Sequence, residues 1–275
     1  MIVILNALYK GGIGKTTQNV ILTNQLAERG YRVLFIDFDP QMSGTRYLSK
    51  KSTEDALFQQ KNIFEAVKMD DLEANILNLK ENIDYVAGNE FINLFESTLE
   101  GKDISVDKRH LYFKSLLYPI YKKGLYDFVI MDMSPTKSAM NIAVMTTATH
   151  HIVNTQSEVL SIEMIQKYID DIIELQTRHD VQSEILGISL GMRDRTKLSR
   201  HAVTLVQQYF GELVFKTITK RKSRISEYAA TGYPEKNNRG LYNVRDSEAL
   251  AQHRLLTDEI LTRLQLPIAK RRWTK

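Results

Sequence analysis

Cysteine is absent from the 275-residue chain. That absence excludes disulfides, thiolate nucleophiles, all-cysteine zinc sites and iron–sulfur clusters, whatever the fold. Long apolar runs are missing too: nowhere do about 18 apolar residues follow one another, so no segment reads as a spanning helix and any membrane contact would be peripheral. The opening residues, MIVILNALYK, lack the basic start, extended apolar stretch and small-residue cleavage site of a signal peptide, which points to a cytoplasmic protein. No internal repeat, Gly/Ser linker or low-complexity tract divides the chain. The simplest reading is therefore one α/β domain over residues 1–275, long enough to bury roughly three quarters of the surface its unfolded chain exposes.

Net charge is small, with 37 Lys and Arg against 33 Asp and Glu. The total conceals a gradient. Residues 1–192 carry 19 basic and 25 acidic residues, whereas residues 193–275 carry 18 basic and 8 acidic. An asymmetry of that size points to a polyanion-binding surface on the basic part, against the plainer alternative of a solvated basic face.

Short apolar runs without polar alternation occur at residues 2–8, 32–37, 83–87, 127–132, 149–153, 185–191 and 213–218, with helical stretches between most of them. Strands of this kind are buried on both faces, so the pattern predicts an α/β fold with a mainly parallel twisted sheet and helices on both faces. Residues 16–29 read as a helix ending at Gly30. Residues 159–177 read as an amphipathic covering helix with Ile162, Ile165, Ile169 and Ile173 on its apolar face. Residues 43–80 read as an irregular insertion, mobile or partner-facing, with a short helix near 62–69. A turn-rich segment at 231–245 precedes a last helix near 246–265.

The first strand runs into KGGIGKTT at residues 10–17, a glycine-rich turn opening a helix. This is a P-loop in the right context, where backbone amides and the positive helix end cradle phosphates. Gly11, Gly12 and Gly14 let the backbone approach, Lys15 reaches the β and γ phosphates, Thr16 offers its hydroxyl to Mg²⁺, and Thr17 adds a further polar contact. The usual first glycine of the motif falls at Tyr9, and Lys10 supplies a second cation. An NTPase also needs carboxylates at strand ends. Asp37 and Asp39 follow the second strand and Asp132 closes YDFVIMD, so Asp132 is expected to hold Mg²⁺, Asp39 to position the attacking water, and Asp37 to serve as a structural or outer magnesium contact.

Taken together, KGGIGKTT, FIDFDPQ and DMSPT at 132–136 resemble the deviant Walker A, switch I and Walker B/switch II elements of the ParA/MinD group of P-loop ATPases, with small plasmid-type ParA partition proteins the nearest match. The likeness extends through GMRDRTKLSR at 191–200 and the segment 214–234. It implies an Mg-dependent ATPase in which Lys10 acts in trans across an ATP-bound homodimer, Lys15 is the ordinary P-loop lysine and Asp39 is needed for hydrolysis. It further implies that Arg221 lines the nucleotide base, and that Arg195 and Arg224, reinforced by Lys197, Lys220 and Lys222, hold non-specific double-stranded DNA. The implied partner is a ParB-type centromere-binding protein whose short basic arm stimulates turnover, and the implied location is the nucleoid. The chain departs from the family at Ser134, where switch II commonly has proline, at Lys220, where a proline commonly precedes the arginine, and in DPQMSGT of switch I. The short stretch before the P-loop leaves no room for an operator-binding helix-turn-helix.

The alternative within the group is a MinD-like membrane-associated positioning ATPase. The tail LTRLQLPIAKRRWTK carries leucines, basic residues and Trp273, yet Pro267 interrupts its apolar stripe. Cluster-bearing relatives are excluded by the missing cysteines. A small-molecule kinase or synthetase would leave the late basic segments without a purpose.

Overall fold

The computed structural model describes residues 1–157, 161–192 and 196–269. Strand β1 (Ile2–Ala7) leads through the glycine loop into α1 (Lys15–Glu28), followed by β2 (Val33–Asp37), α2 (Ser43–Ser49), α3 (Ala56–Gln60), α4 (Ile63–Met69) and the hairpin strands β3 (Leu77–Lys80) and β4 (Ile83–Val86). Next come α5 (Phe95–Gly101), α6 (Val106–His110), α7 (Tyr112–Lys123), β5 (Phe128–Asp132), α8 (Ala139–Thr147), β6 (His150–Gln156) and α9 (Ser161–His179). The last elements are β7 (Glu184–Met192), α10 (Lys197–Phe210), β8 (Thr219–Lys220), α11 (Ser223–Thr231) and α12 (Val244–Arg263).

The eight strands form one sheet in the order β3-β4-β2-β5-β1-β6-β7-β8. Among the described residues only β3 and β4 pair antiparallel. Because successive side chains point to opposite faces, each central strand feeds two cores. Val3 and Leu5 of β1, Leu34 and Ile36 of β2, and Val129 and Met131 of β5 pack on one face with α7, α8 and α9. Ile4, Val33, Phe35, Phe128 and Ile130 pack on the other with α1 and α12. The parallel strands β1, β2, β5, β6 and β7 therefore all end on one edge of the sheet, which is where such folds bind ligands.

Three sequence expectations are corrected. The run at 213–218 is not a strand: Val214 makes a single bridge to Ile188, and only Thr219–Lys220 pair regularly, with β7. Phe215 keeps one backbone hydrogen bond to the edge, N to Ile188 O at 2.9 Å, while its ring is buried under the guanidinium of Arg263, 4.2 Å from the ring centre. In α9 the buried face is Ser161, Ile165, Tyr168 and Ile172, while Ile173 is 54% exposed. The large Tyr168 ring sets the rotation of the helix, since its hydroxyl meets the buried His151 Nδ1 at 3.1 Å. Residues 43–80 are packed rather than irregular. Tyr47, Leu48, Phe58, Ile63 and Val67 anchor three short helices, and Leu77 anchors a strand, so a thin scatter of apolar residues suffices where each one lands in the core.

Candidate nucleotide site

The loop between β1 and α1 owes its path to two glycines. Gly12 and Gly14 take φ values of +71° and +85°, left-handed conformations that carry no penalty without a Cβ. Gly14 stands at the start of α1, and no side chain caps that end, so its first amides and the positive end of the helix dipole face the cleft. Lys15 is 6% exposed. Its Nζ donates to the carbonyl oxygens of Leu8 at 3.1 Å and Lys10 at 2.6 Å, an ammonium resting on loop carbonyls. Burial pushes its pKa down, and the carboxylates of Asp132 and Asp39 pull it back up. Lys10 and Tyr9 are half-buried at the lip of the loop.

Polar side chains at the ends of neighbouring strands brace the loop. From β6, Asn154 Nδ2 donates to Ile13 O at 3.3 Å and Gln156 Nε2 to Gly12 O at 3.2 Å. On α1, Gln18 meets Ser189 of β7, Nε2 to Oγ, at 3.1 Å. Sequence reasoning did not single out these residues. The available signal was a polar residue inside an otherwise apolar strand run, as in HIVNTQ.

The carboxylates lie where parallel pairing puts them. Asp37 and Asp132 are in register at the ends of β2 and β5, and both are fully buried. Burial holds both well above the ordinary carboxylate range, with mutual repulsion adding to it at Asp37, while hydrogen bonds from Thr16 and Asn19 oppose the rise at Asp132. Asp37 is spent on its own loop, since it accepts from Thr45 N at 2.7 Å, Thr45 Oγ1 at 2.7 Å and Asp39 N at 3.1 Å. It thus holds the segment after β2 in place. Asp132 is arranged differently. Its Oδ1 accepts from Asn19 Nδ2 at 2.8 Å, and its buried Oδ2 has no hydrogen-bond partner. An unpartnered buried carboxylate oxygen beside the Thr16 hydroxyl fits a divalent cation, which would repay the cost of burying the charge. Asp39 is half-buried at the rim, with Oδ1 accepting from Gln41 N at 2.9 Å. Gly44 was also missed. A Cβ there would lie 2.7 Å from the Phe35 ring and 3.2 Å from Asp132 Oδ2.

A cleft of about 550 Å³ opens from the loop. Gly11, Gly12, Gly14, Thr17 and Gln18 form one wall, and Lys220, Arg221, Lys222, Ser226 and His253 form the other. The structure thus brings Arg221 to the cleft, together with Lys220 and Lys222, which had been expected on a DNA surface. The reason is topological: β8 pairs with β7 at the sheet edge, and the chain after it runs beside the P-loop. Lys222 Nζ donates to Glu248 O.

Arg224 does not join that wall. Its Nε lies 2.6 Å from Asp246 Oδ1 and its Nη1 2.8 Å from Glu227 Oε2, so it ties α11 to α12. Asp246 is further held by the Tyr228 hydroxyl at 2.6 Å. Of the remaining expected DNA contacts, Lys197 is exposed at the start of α10, and Arg195 lies outside the described residues, as does Trp273.

A family profile described as an AAA domain matches residues 1–185. The chain is 31% identical over 228 residues to the chromosome-partitioning ATPase Soj of Treponema pallidum, covering 82% of this chain and 85% of the relative. Among solved structures, McdA of Cyanothece in complex with ATP superposes with a TM-score of 0.78 at 17% identity, over 97% of each chain. A putative plasmid partition protein of Borrelia burgdorferi bound to AMPPNP gives a TM-score of 0.72 at 20% identity, over 96% of this chain and 98% of the other.

Proposed function

The chain belongs to the ParA/MinD family of P-loop ATPases, and from that premise we propose that it is an Mg²⁺-dependent partition ATPase that dimerises on ATP and binds non-specific double-stranded DNA. The observation that carries the reading is the buried, unpartnered oxygen of Asp132 at the foot of a glycine loop whose lysine is held on two carbonyls. Bound with the nucleotide, Mg²⁺ would neutralise charge between the β and γ phosphates. Thr16 and Asp132 would hold it. Lys15 exchanges the carbonyls of Leu8 and Lys10 for phosphate oxygens, and Asp39, at the rim, orients the attacking water. Lys10 reaches the phosphates bound by a second copy, which ties hydrolysis to dimerisation.

The second wall of the cleft takes the rest of the nucleotide. Lys220, Arg221 and Lys222 surround the base and ribose, so the basic charge of residues 193–275 is divided between nucleotide and DNA. Lys197 and Arg195 remain the proposed DNA contacts, the whole chain acts as one P-loop domain, and a ParB-type protein stimulates turnover on the nucleoid. Support for a polyanion-binding surface comes from the charge gradient.

Lys15→Ala is expected to abolish ATP binding in a fluorescent-nucleotide titration, whereas Asp39→Ala binds ATP, turns it over at background rate and stays dimeric on DNA. An Asp39→Ala protein that is monomeric and free of DNA in saturating ATP defeats the proposal.

A further inference from the structure

Away from the nucleotide cleft, α6 and the end of α9 bring Asp107, His110 and His179 together, with one ligand atom from each within 4.8 Å of the other two. Asp107 and His110 are three residues apart on α6 and so share a face of that helix. His179 ends α9. The two imidazoles face each other nitrogen to nitrogen, His110 Nδ1 to His179 Nε2 at 3.0 Å, with ring planes at 88°.

We propose that Asp107, His110 and His179 form a site for a divalent transition cation of the zinc type, separate from the nucleotide site. Imidazole nitrogens about 2.0–2.1 Å from a tetrahedral zinc ion stand roughly 3.3–3.4 Å apart, so the observed pair needs to open by only a few tenths of an ångström. A carboxylate completes a His₂Asp set of the kind such ions accept, and a solvent molecule takes the fourth position. Asp107 has the freedom to close the remaining distance, since its side chain is 71% exposed. Arg178 is a charge opposed to a cation, with its Nη2 3.2 Å from Asp107 Oδ1. That guanidinium is 50% exposed and takes one oxygen of a carboxylate that has two. Lys137, which lines the same hollow as His110, is paired with Asp171 Oδ2 at 2.6 Å.

The position also has a consequence. The carbonyl of His110 accepts the hydroxyl of Thr146 on α8, and Asn141 on the same helix donates to Ser134 O at 3.0 Å. A cation here would pin α6 and α9 to the helix that carries the segment after Asp132.

Zinc titrated into the nucleotide-free full chain, with excess Mg²⁺ present to hold oxygen-lined sites, is expected to bind at one equivalent and to raise the melting temperature, reversed by a chelator. Cobalt in place of zinc should give the intense visible bands of a four-coordinate site. His179→Gln and Asp107→Asn alter exposed or half-buried groups, so both should fold and lose about tenfold or more in zinc affinity. His201→Gln, on the exposed face of α10, should leave it unchanged. Failure of the wild-type chain to bind zinc at micromolar free metal, or undiminished binding by both His179→Gln and Asp107→Asn, overturns the site.

Discussion

A carboxylate buried without a partner is costly, and Asp132 Oδ2 is such a group. The cost is tolerable because the neighbouring Lys15 and the Asn19 hydrogen bond to the other oxygen offset part of it, and a cation would offset more. The same pocket admits no extra atom at Gly44, whose missing side chain leaves room for the Phe35 ring. Gly44→Ala is therefore expected to cost about 1–3 kcal/mol, as overpacking does, and to displace either that ring or Asp132. Urea unfolding would show the loss in stability, and a fall in nucleotide affinity larger than that of a surface Gly→Ala change would show the displacement. The glycines of KGGIGKTT could be read from sequence because a motif names them. Gly44 could not, since its need arises from a ring on a different strand.

At the scale of elements, Arg224 changes role. A resemblance places this arginine in a basic segment and hands it to DNA, but Glu227 one turn along α11 and Asp246 across on α12 both hold its guanidinium. Arg224→Met should lower the melting temperature and leave DNA affinity little changed once the folded fraction is accounted for. Lys197→Glu should do the reverse, which a paired thermal melt and DNA-binding titration would establish. The β6–α9 packing makes a second prediction. His151 is fully buried and desolvation lowers its pKa from 6.5 to about 3. The unfolded chain thus takes up a proton below about pH 6.5 that the folded chain refuses until roughly pH 3, so stability falls as pH falls through that window. His253, lowered to about 4 by burial, acts in the same direction. Between about pH 6.5 and about pH 5, His151 alone should account for roughly 2 kcal/mol. Comparing denaturant midpoints at the two pH values, His151→Leu should show a correspondingly shallower slope than the wild type.

At the scale of the whole molecule, the proposed function joins the charge gradient and the P-loop in one cycle. Two weak basic surfaces presented by an ATP-bound dimer bind a polyanion far better than either alone, and counterion release makes that binding fall steeply with salt. Retention on non-specific duplex DNA should therefore appear with ATP and vanish with ADP or no nucleotide, and its logarithm should decline linearly with the logarithm of salt. Lys10→Ala should keep ATP binding while losing both the dimer and the DNA, measured by light scattering and filter retention.

What the sequence determined by itself was whatever depends on neighbours along the chain. Unalternating apolar runs foretold a parallel sheet sandwiched by helices, the glycine motif marked the turn that opens α1, and aspartates closing two strands marked the carboxylates that stand in register beside it. Tertiary structure decided what depends on neighbours in space. It turned α9 onto Tyr168 because a large ring with a buried partner outweighs a row of isoleucines, and it ordered residues 43–80 around a few anchors too sparse to show a period. It also brought Lys220 and Lys222 to the cleft beside the glycine loop and paired Arg224 of α11 with Asp246 of α12. In each case a local pattern reports which residues prefer burial or charge, and only the packing of distant segments settles which partner each one meets.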